Sequence, residues 1–235
     1  MDYKDYLAGK KNSDFWIKGK NGLIETLINS LKPKEKSKIL SIGAGTGDDL
    51  EILNRFGDVY VIDIEKKALN LIKKGSCFKK KVCDACNLDF PDNYFDIVTS
   101  FDVFEHIEKD SQAVSEVFRV LKKGGSLVFS VPAFQFLFSS HDQALNHFRR
   151  YSKKEAQKLF SNFKNKRITY WNFFLFPPIA LLRLVRKNSK PQVDNPSFNP
   201  ILNNAFYKLL KAENSLIRKR IKLPFGLSIA GVCEK

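Results

Sequence analysis

Cysteine is scarce. The 235-residue chain holds only Cys77, Cys83, Cys86 and Cys233. They are too few and too clustered to staple a chain of this size, so a disulfide framework is excluded and a reducing, cytoplasmic setting is expected. The CDAC stretch at 83–86 lacks the second CxxC or histidine pair that would complete a zinc site. Long apolar runs are missing too. The stretch from Trp171 to Val185 is interrupted by Asn172, Pro177-Pro178 and Arg183, and is too short to span a bilayer. The opening residues, MDYKDYLAGKKNSDFW, contain no apolar h-region, so no signal peptide is expected. Acidic residues are scarce in one part only. Residues 1–148 hold 21 Lys+Arg against 21 Asp+Glu, but residues 149–235 hold 19 against 4, so the whole surplus of +15 lies there. This asymmetry points to an anionic partner and leaves nucleic acid, anionic lipid and phosphorylated substrate open.

What is present suits one large α/β domain, with 43% apolar residues. Leu23, Ile24, Leu27, Ile28 and Leu31 recur at helical spacing and predict a helix over 20–31, ended near Pro33. Short apolar stretches (KILSI, VYVIDI, KKVCDA, FDIVTSF, SLVFSVPA) then alternate with helical ones (DDLEILNRF, EKKALNLIKK and residues 110–122). That alternation predicts βαβ units and a parallel sheet covered on both faces. Past Pro132 the chain offers a capped helix (SKKEAQKLFSNF), a strand (KRITYWNFF) and an apolar-basic helix (FPPIALLRLVRK). The proline-bearing linker NSKPQVDNPSFNP, an amphipathic helix from Ile201 to Ile217 and a last strand (FGLSIAGVCEK) complete it.

Gly43-Ala44-Gly45-Thr46-Gly47 lies between a predicted strand and helix, where glycine lets the backbone approach a ligand. The spacing is GxGxG rather than the dinucleotide GxGxxG. Asp63 ends the next strand, placed to accept both hydroxyls of a ribose, and Asp84 and Ala85 end the third. All fall at the carboxyl edge of the sheet, where open α/β folds bind ligands.

ILSIGAGTG, VYVIDI, CDACNLDFPDNYFDIV, FDVFEHI and RVLKKGGSLVFSVP, in this order over residues 37–132, resemble the class I S-adenosylmethionine-dependent methyltransferases. The resemblance implies a doubly wound, Rossmann-like seven-stranded sheet of order 3-2-1-4-5-7-6 with the last strand antiparallel. It also implies S-adenosylmethionine as cofactor and S-adenosylhomocysteine as product. Carried over by position, Gly43, Ala44, Gly45 and Gly47 would pass under the methionyl part. Asp63, with Ile64 beside it, would hold the ribose, Asp84 and Ala85 would face the adenine, and Phe101 would lie near the methyl-donor end. Many relatives carry an acidic residue where this chain has Ser41, which leaves recognition of the methionine amino group open. The whole chain then reads as a single domain: a helical cap (1–36), the cofactor core (37–132), a substrate-side segment (133–170), an apolar-basic helical insertion (171–224) and the last strand (225–235).

Two constellations could carry chemistry. Asp102, Glu105 and His106 stand at i, i+3 and i+4; on a helix they would share a face and could hold a divalent ion, although capping and orienting a turn is the commoner use of such residues. HDQALNHFRRY at 141–151 resembles a segment that one branch of these methyltransferases, associated with glycan and polyprenol-linked pathways, carries after the fifth strand. Beside the methyl group, His141, Asp142 and His147 are candidate bases. Arg149 and Arg150 would grip phosphate or carboxylate, and Tyr151 would orient the acceptor. Phe15-Trp16 could cover the cofactor or staple the first helix to the core.

The expected activity is O-methylation of a small-molecule, glycan or lipid-linked anionic acceptor. Arg183, Arg186 and Lys187 on the apolar-basic helix would suit anionic headgroups, hence a peripheral place on the inner membrane face; a homodimer interface or a core-covering helix pair is the rival use. Competing functions are an RNA methyltransferase, which the missing NPPY-type tetrapeptide disfavours, and a non-catalytic S-adenosylmethionine-binding subunit.

Overall fold

The computed structural model describes residues 14–187, 189–191 and 198–235. The linker expected at 188–200 lies in large part outside the described residues, as does the start of the cap. Helix α1 (Asp14–Asn29) is followed by β1 (Ser37–Ile42), α2 (Leu50–Leu53), β2 (Gly57–Asp63), α3 (Lys66–Leu71), β3 (Lys79–Val82), β4 (Phe95–Phe101), α4 (Asp110–Val120) and β5 (Leu121–Pro132). Then come α5 (Ser140–Ala144), α6 (Lys153–Leu159), β6 (Lys164–Trp171), α7 (Phe176–Val185), α8 (Pro200–Arg218) and β7 (Ser228–Glu234). The strands form one sheet of order β3-β2-β1-β4-β5-β7-β6, with β7 antiparallel to both neighbours. This is the fold class expected from the motifs.

The central strands are apolar on both faces because both faces are covered. Leu40, Ile42, Tyr60, Ile62 and Val98 join Val114 and Val117 of α4 and Ala156 and Phe160 of α6 in one core. Ile39, Val59, Val61 and Ile97 join Leu23, Ile24, Leu27 and Ile28 of α1 and Leu210 of α8 in the other. Full burial of each such aliphatic side chain is worth roughly 1.5–3 kcal/mol.

Helix α1 starts earlier than its apolar spacing suggested and takes in Phe15 and Trp16. The Phe15 ring packs 5.3 Å from Phe206, and Trp16 lies 5.3 Å from Trp171. The pair therefore staples α1 to the core. Helix α8 is a core-covering element on its inner face. Its buried Glu213 accepts the backbone N–H of Asn172 and of Phe174, both at 2.8 Å. Asn214 accepts from Trp171 Nε1 at 3.0 Å and donates to the Gly19 carbonyl at 2.9 Å. DDLEILNRF yields only the single turn of α2. No helix among the described residues is long and apolar enough to cross a membrane.

Candidate active site

The glycine turn is anchored to the end of β2: the N–H groups of Gly43 and Ala44 both donate to the Ile62 carbonyl, at 2.9 and 3.3 Å. Gly43, Gly45 and Gly47 have φ of +64°, +53° and +81°, the left-handed region that favours glycine. A side chain at Gly43 would collide with Val103 in the loop after β4, whereas one at Gly45 would meet nothing within 4 Å. The turn thus leans on that loop at one end and opens at the other. Asp63 closes it: Oδ2 accepts from the Gly45 N–H and Oδ1 from the Glu65 N–H, both at 2.9 Å. Ile64 beside it is 68% exposed. Asp84 accepts from the Cys86 N–H at 2.8 Å, Ala85 is buried, and Phe101 is buried at the end of β4. The nine residues read as a cofactor site therefore gather around the carboxyl ends of β1 to β4.

A second polar group there was not anticipated. Lys20, on α1, donates to Asp102 Oδ2 at 2.8 Å, and Ser130 Oγ donates to Asp102 Oδ1 at 2.8 Å. Burial favours neutral forms of both charges, but the pairing wins: the Lys20 ammonium is held above its usual pKa and the Asp102 carboxyl below. Asp49, at the start of α2, accepts from Ser41 Oγ at 3.5 Å, and burial pushes its carboxyl up to about 6 against the opposing charge of Lys20. The acids of GTGDD directly after the glycine turn were the available signal for Asp49. Lys20, 82 positions from Asp102, left none.

The expected helical face of Asp102, Glu105 and His106 is not formed. Asp102 has φ +58° and precedes a single 3-10 turn, Phe104–His106. The fold instead brings Glu105 and His106 to His147, with one donor atom of each residue lying within 4.8 Å of the others. The two imidazole rings meet edge to face at 4.5 Å. Glu105 is fully buried, neither carboxylate oxygen has a hydrogen-bond partner, and burial followed by the charge of Asp102 raises its pKa well above the ordinary range.

Segment 141–151 is organised around Asp142, which is fully buried. Asp142 Oδ1 accepts from His147 Nδ1 at 2.9 Å and Arg150 Nε at 2.8 Å. Its Oδ2 accepts from the Ser139 N–H at 3.0 Å and from an Arg183 terminal nitrogen at 3.3 Å. Burial alone would raise the carboxyl pKa, but the His147 hydrogen bond and the charges of Arg150 and Arg183 hold it far below the carboxylate range. This corrects three expectations. Asp142 is enclosed by cations and is a hub rather than a base. Arg150 is 4% exposed and also donates to the Ala133 carbonyl, so its guanidinium is a strut rather than an anion grip. Arg183, expected to meet headgroups, is turned inward to the same carboxylate.

Tyr151 needs the same correction. It is 3% exposed and donates to Asp110 Oδ2 at 2.8 Å, so it braces α4 instead of reaching an acceptor; burial and the Asp110 charge raise its pKa. Arg149 shares Asp110, at 3.0 Å, and donates to the Glu108 carbonyl at 2.7 Å, but stays partly exposed. Burial and nearby Arg183 press the His141 pKa down to about 3, which makes it a weak base at neutral pH.

Residues 40–129 match the family model described as a methyltransferase domain. An uncharacterized protein of Methanocaldococcus jannaschii is 29% identical over 171 residues, 69% of this chain and 72% of that one. The ubiquinone/menaquinone biosynthesis C-methyltransferase of Neisseria meningitidis is 35% identical over 111 residues, covering 43% of this chain and 45% of its own length, so the chain spans less than half of that relative. Among solved structures, phosphoethanolamine N-methyltransferase 2 of Haemonchus contortus, in complex with S-adenosyl-L-methionine, superposes with a TM-score of 0.59 at 19% identity. That match covers 89% of this chain and 51% of the other. The stretch that matches the methyltransferase-domain model lies on the first five strands of the seven-stranded sheet, and the chain shares its fold with that methyltransferase structure.

Proposed function

We propose that the chain binds S-adenosylmethionine at the carboxyl ends of β1 to β4 and transfers its methyl group to an oxygen of an anionic, small-molecule or lipid-linked acceptor. The observation that carries the cofactor half is Asp63. Each of its oxygens takes one backbone donor and keeps a lone pair for a ribose hydroxyl, beside a turn that is open above Gly45. Exposed Ile64 would lie against the adenine, and Asp84 would accept its amino group. Asp49 supplies the acidic partner for the methionine ammonium that position 41 lacks, and Lys20 is the cation for its carboxylate. The H. contortus protein's S-adenosyl-L-methionine, on the same fold, supports this placement.

Methyl transfer from a sulfonium is an in-line displacement. The acceptor oxygen forms a bond to carbon, the C–S electron pair stays on sulfur to give S-adenosylhomocysteine, and the acceptor proton passes to a base or to water. Of the three side chains read as bases, Asp142 is enclosed by cations and the His141 pKa is pressed down to about 3, which leaves His147, held at Nδ1 by Asp142 and packed against His106 of the loop after β4.

The acceptor reading rests on the C-terminal surface. Leu181, Leu184 and Val185 of α7 and Ile201 and Leu202 of α8 are exposed, in the part of the chain that carries 19 basic against 4 acidic residues. Apolar contact beside excess positive charge suits an anionic lipid or a lipid-linked acceptor at a membrane face. The test is transfer of labelled methyl from S-adenosylmethionine into a total lipid extract, run beside total RNA. Label in the lipid fraction, stable to mild acid as an ether is, supports the reading. Label in RNA alone, or in neither, refutes it.

A further inference from the structure

We propose that Glu105, His106 and His147 form a binding site for one divalent transition-metal ion. Three observations converge on it. Donor atoms of the three residues lie within 4.8 Å of one another, close enough for small side-chain shifts to bring them onto a single ion. Glu105 is wholly buried yet neither of its oxygens meets a hydrogen-bond donor, a large cost for a carboxylate that a cation would remove. His147 commits Nδ1 to Asp142 at 2.9 Å, which fixes its proton there and leaves Nε2 as the coordinating nitrogen. A carboxylate behind a histidine is the usual outer support of a metal-bound imidazole. Here that carboxylate is itself held by Arg150 and Arg183. The buried hub around Asp142 thereby gains a purpose: it orients one ligand.

Two imidazoles and one carboxylate suit zinc, manganese, iron or cobalt rather than magnesium or calcium, which want oxygen ligands. Three protein ligands leave coordination positions open, and the exposed His106 puts that side toward solvent. The loop that carries Glu105 and His106 also holds Val103, against which the glycine turn leans. On the methyl-transfer reading, an acceptor hydroxyl bound to the ion would be more acidic. With His147 Nε2 on the ion, His147 would be a ligand and not the base; the hydroxyl would release its proton to water, and its oxygen would then form the bond to the methyl carbon as the C–S pair returns to sulfur.

The test is a Co²⁺ titration of the metal-stripped full chain, followed by visible absorption and calorimetry. One equivalent should bind, with a ligand-field band that Zn²⁺ displaces. Glu105→Gln and His106→Ala should each weaken binding at least a hundredfold. Asp142→Asn should weaken it about ten- to a hundredfold, as loss of an outer-shell partner does. Thermal melts and S-adenosylmethionine calorimetry on the same samples show whether each variant is folded and whether the cofactor site works. Absence of stoichiometric Co²⁺ binding, or binding indifferent to both Glu105→Gln and His106→Ala, overturns the metal site. Failure to bind S-adenosylmethionine would overturn the methyltransferase reading and leave the metal result standing.

Discussion

Asp142→Ala separates a structural hub from a catalytic base. In the native protein its carboxylate, fully buried, receives Arg150, His147, Arg183 and the Ser139 N–H. Truncation would strand the Arg150 guanidinium, whose side chain is only 3% exposed, without its counter-charge. Removing one partner of a buried pair costs about 3–5 kcal/mol. At roughly 2–4 °C per kcal/mol for a chain of this size, the melting point should fall by about 6–20 °C. Urea unfolding followed by the fluorescence of Trp16 and Trp171 measures it, with Arg149→Ala as control. Arg149 is 31% exposed at its side chain, so its pair with Asp110 is worth only about 0–1 kcal/mol. The lowered carboxyl pKa adds a pH signature. The stabilisation is fully present above the unfolded value of about 4 and is lost as pH falls through the folded one. Asp142→Asn should therefore be destabilised at pH 7 and approach the parent protein in acid. A catalytic base would behave otherwise, with stability kept and turnover lost; an Asp142→Ala loss below about 1 kcal/mol would refute the hub.

Asp63→Ala should weaken S-adenosylmethionine binding by about ten- to a hundredfold, the worth of one or two hydrogen bonds to a charged group, in a calorimetric titration; unchanged affinity would remove Asp63 from the cofactor site. Asp49→Asn should raise stability while weakening the cofactor. Its carboxyl, pushed up to about 6, contributes stability that is present in acid and lost as pH rises through that value, so the neutral variant should gain about 1–2 kcal/mol at pH 7 after screening. A destabilised Asp49→Asn protein with normal affinity would contradict both halves of that reasoning. His141, pressed down to about 3, should make the fold lose stability between pH 6.5 and pH 5, at up to about 1.4 kcal/mol per pH unit. His141→Gln should flatten that slope in urea titrations at the two pH values.

The parts of the fold written in local patterns are legible in the sequence. The glycine turn, Asp63 and Asp84 follow consecutive strands of a parallel sheet, so chain order alone brings them to one edge. Helix boundaries were less legible. Phe15 and Trp16 extend α1 upstream of its aliphatic stripe because they pack against Phe206 and Trp171, residues that lie more than 150 positions away. The polar sites depend on the same long reach. Lys20 with Asp102 and Arg183 with Asp142 are joined by tertiary folding, and no spacing rule links them. The spacing Asp102, Glu105, His106 implied a helix face, but a left-handed residue at 102 breaks it and His147 takes the vacant place in the cluster.

The RRY triplet shows what spacing could still have revealed. Tyr151 bridges Ala133 beside the end of β5, and the Phe134 N–H donates to its carbonyl, so the backbone there is extended. Side chains of an extended segment alternate sides. Arg149 and Tyr151 accordingly meet the same carboxylate, Asp110, while Arg150 between them turns to Asp142. Two adjacent arginines therefore could not both face an acceptor: Arg150 is buried against Asp142, and Tyr151 is buried with its hydroxyl donated to Asp110. Of the triplet, only Arg149 keeps partial exposure. The anionic acceptor proposed above would then be met by Arg149 and by the exposed cations of the later helices, which is where the surplus of positive charge resides.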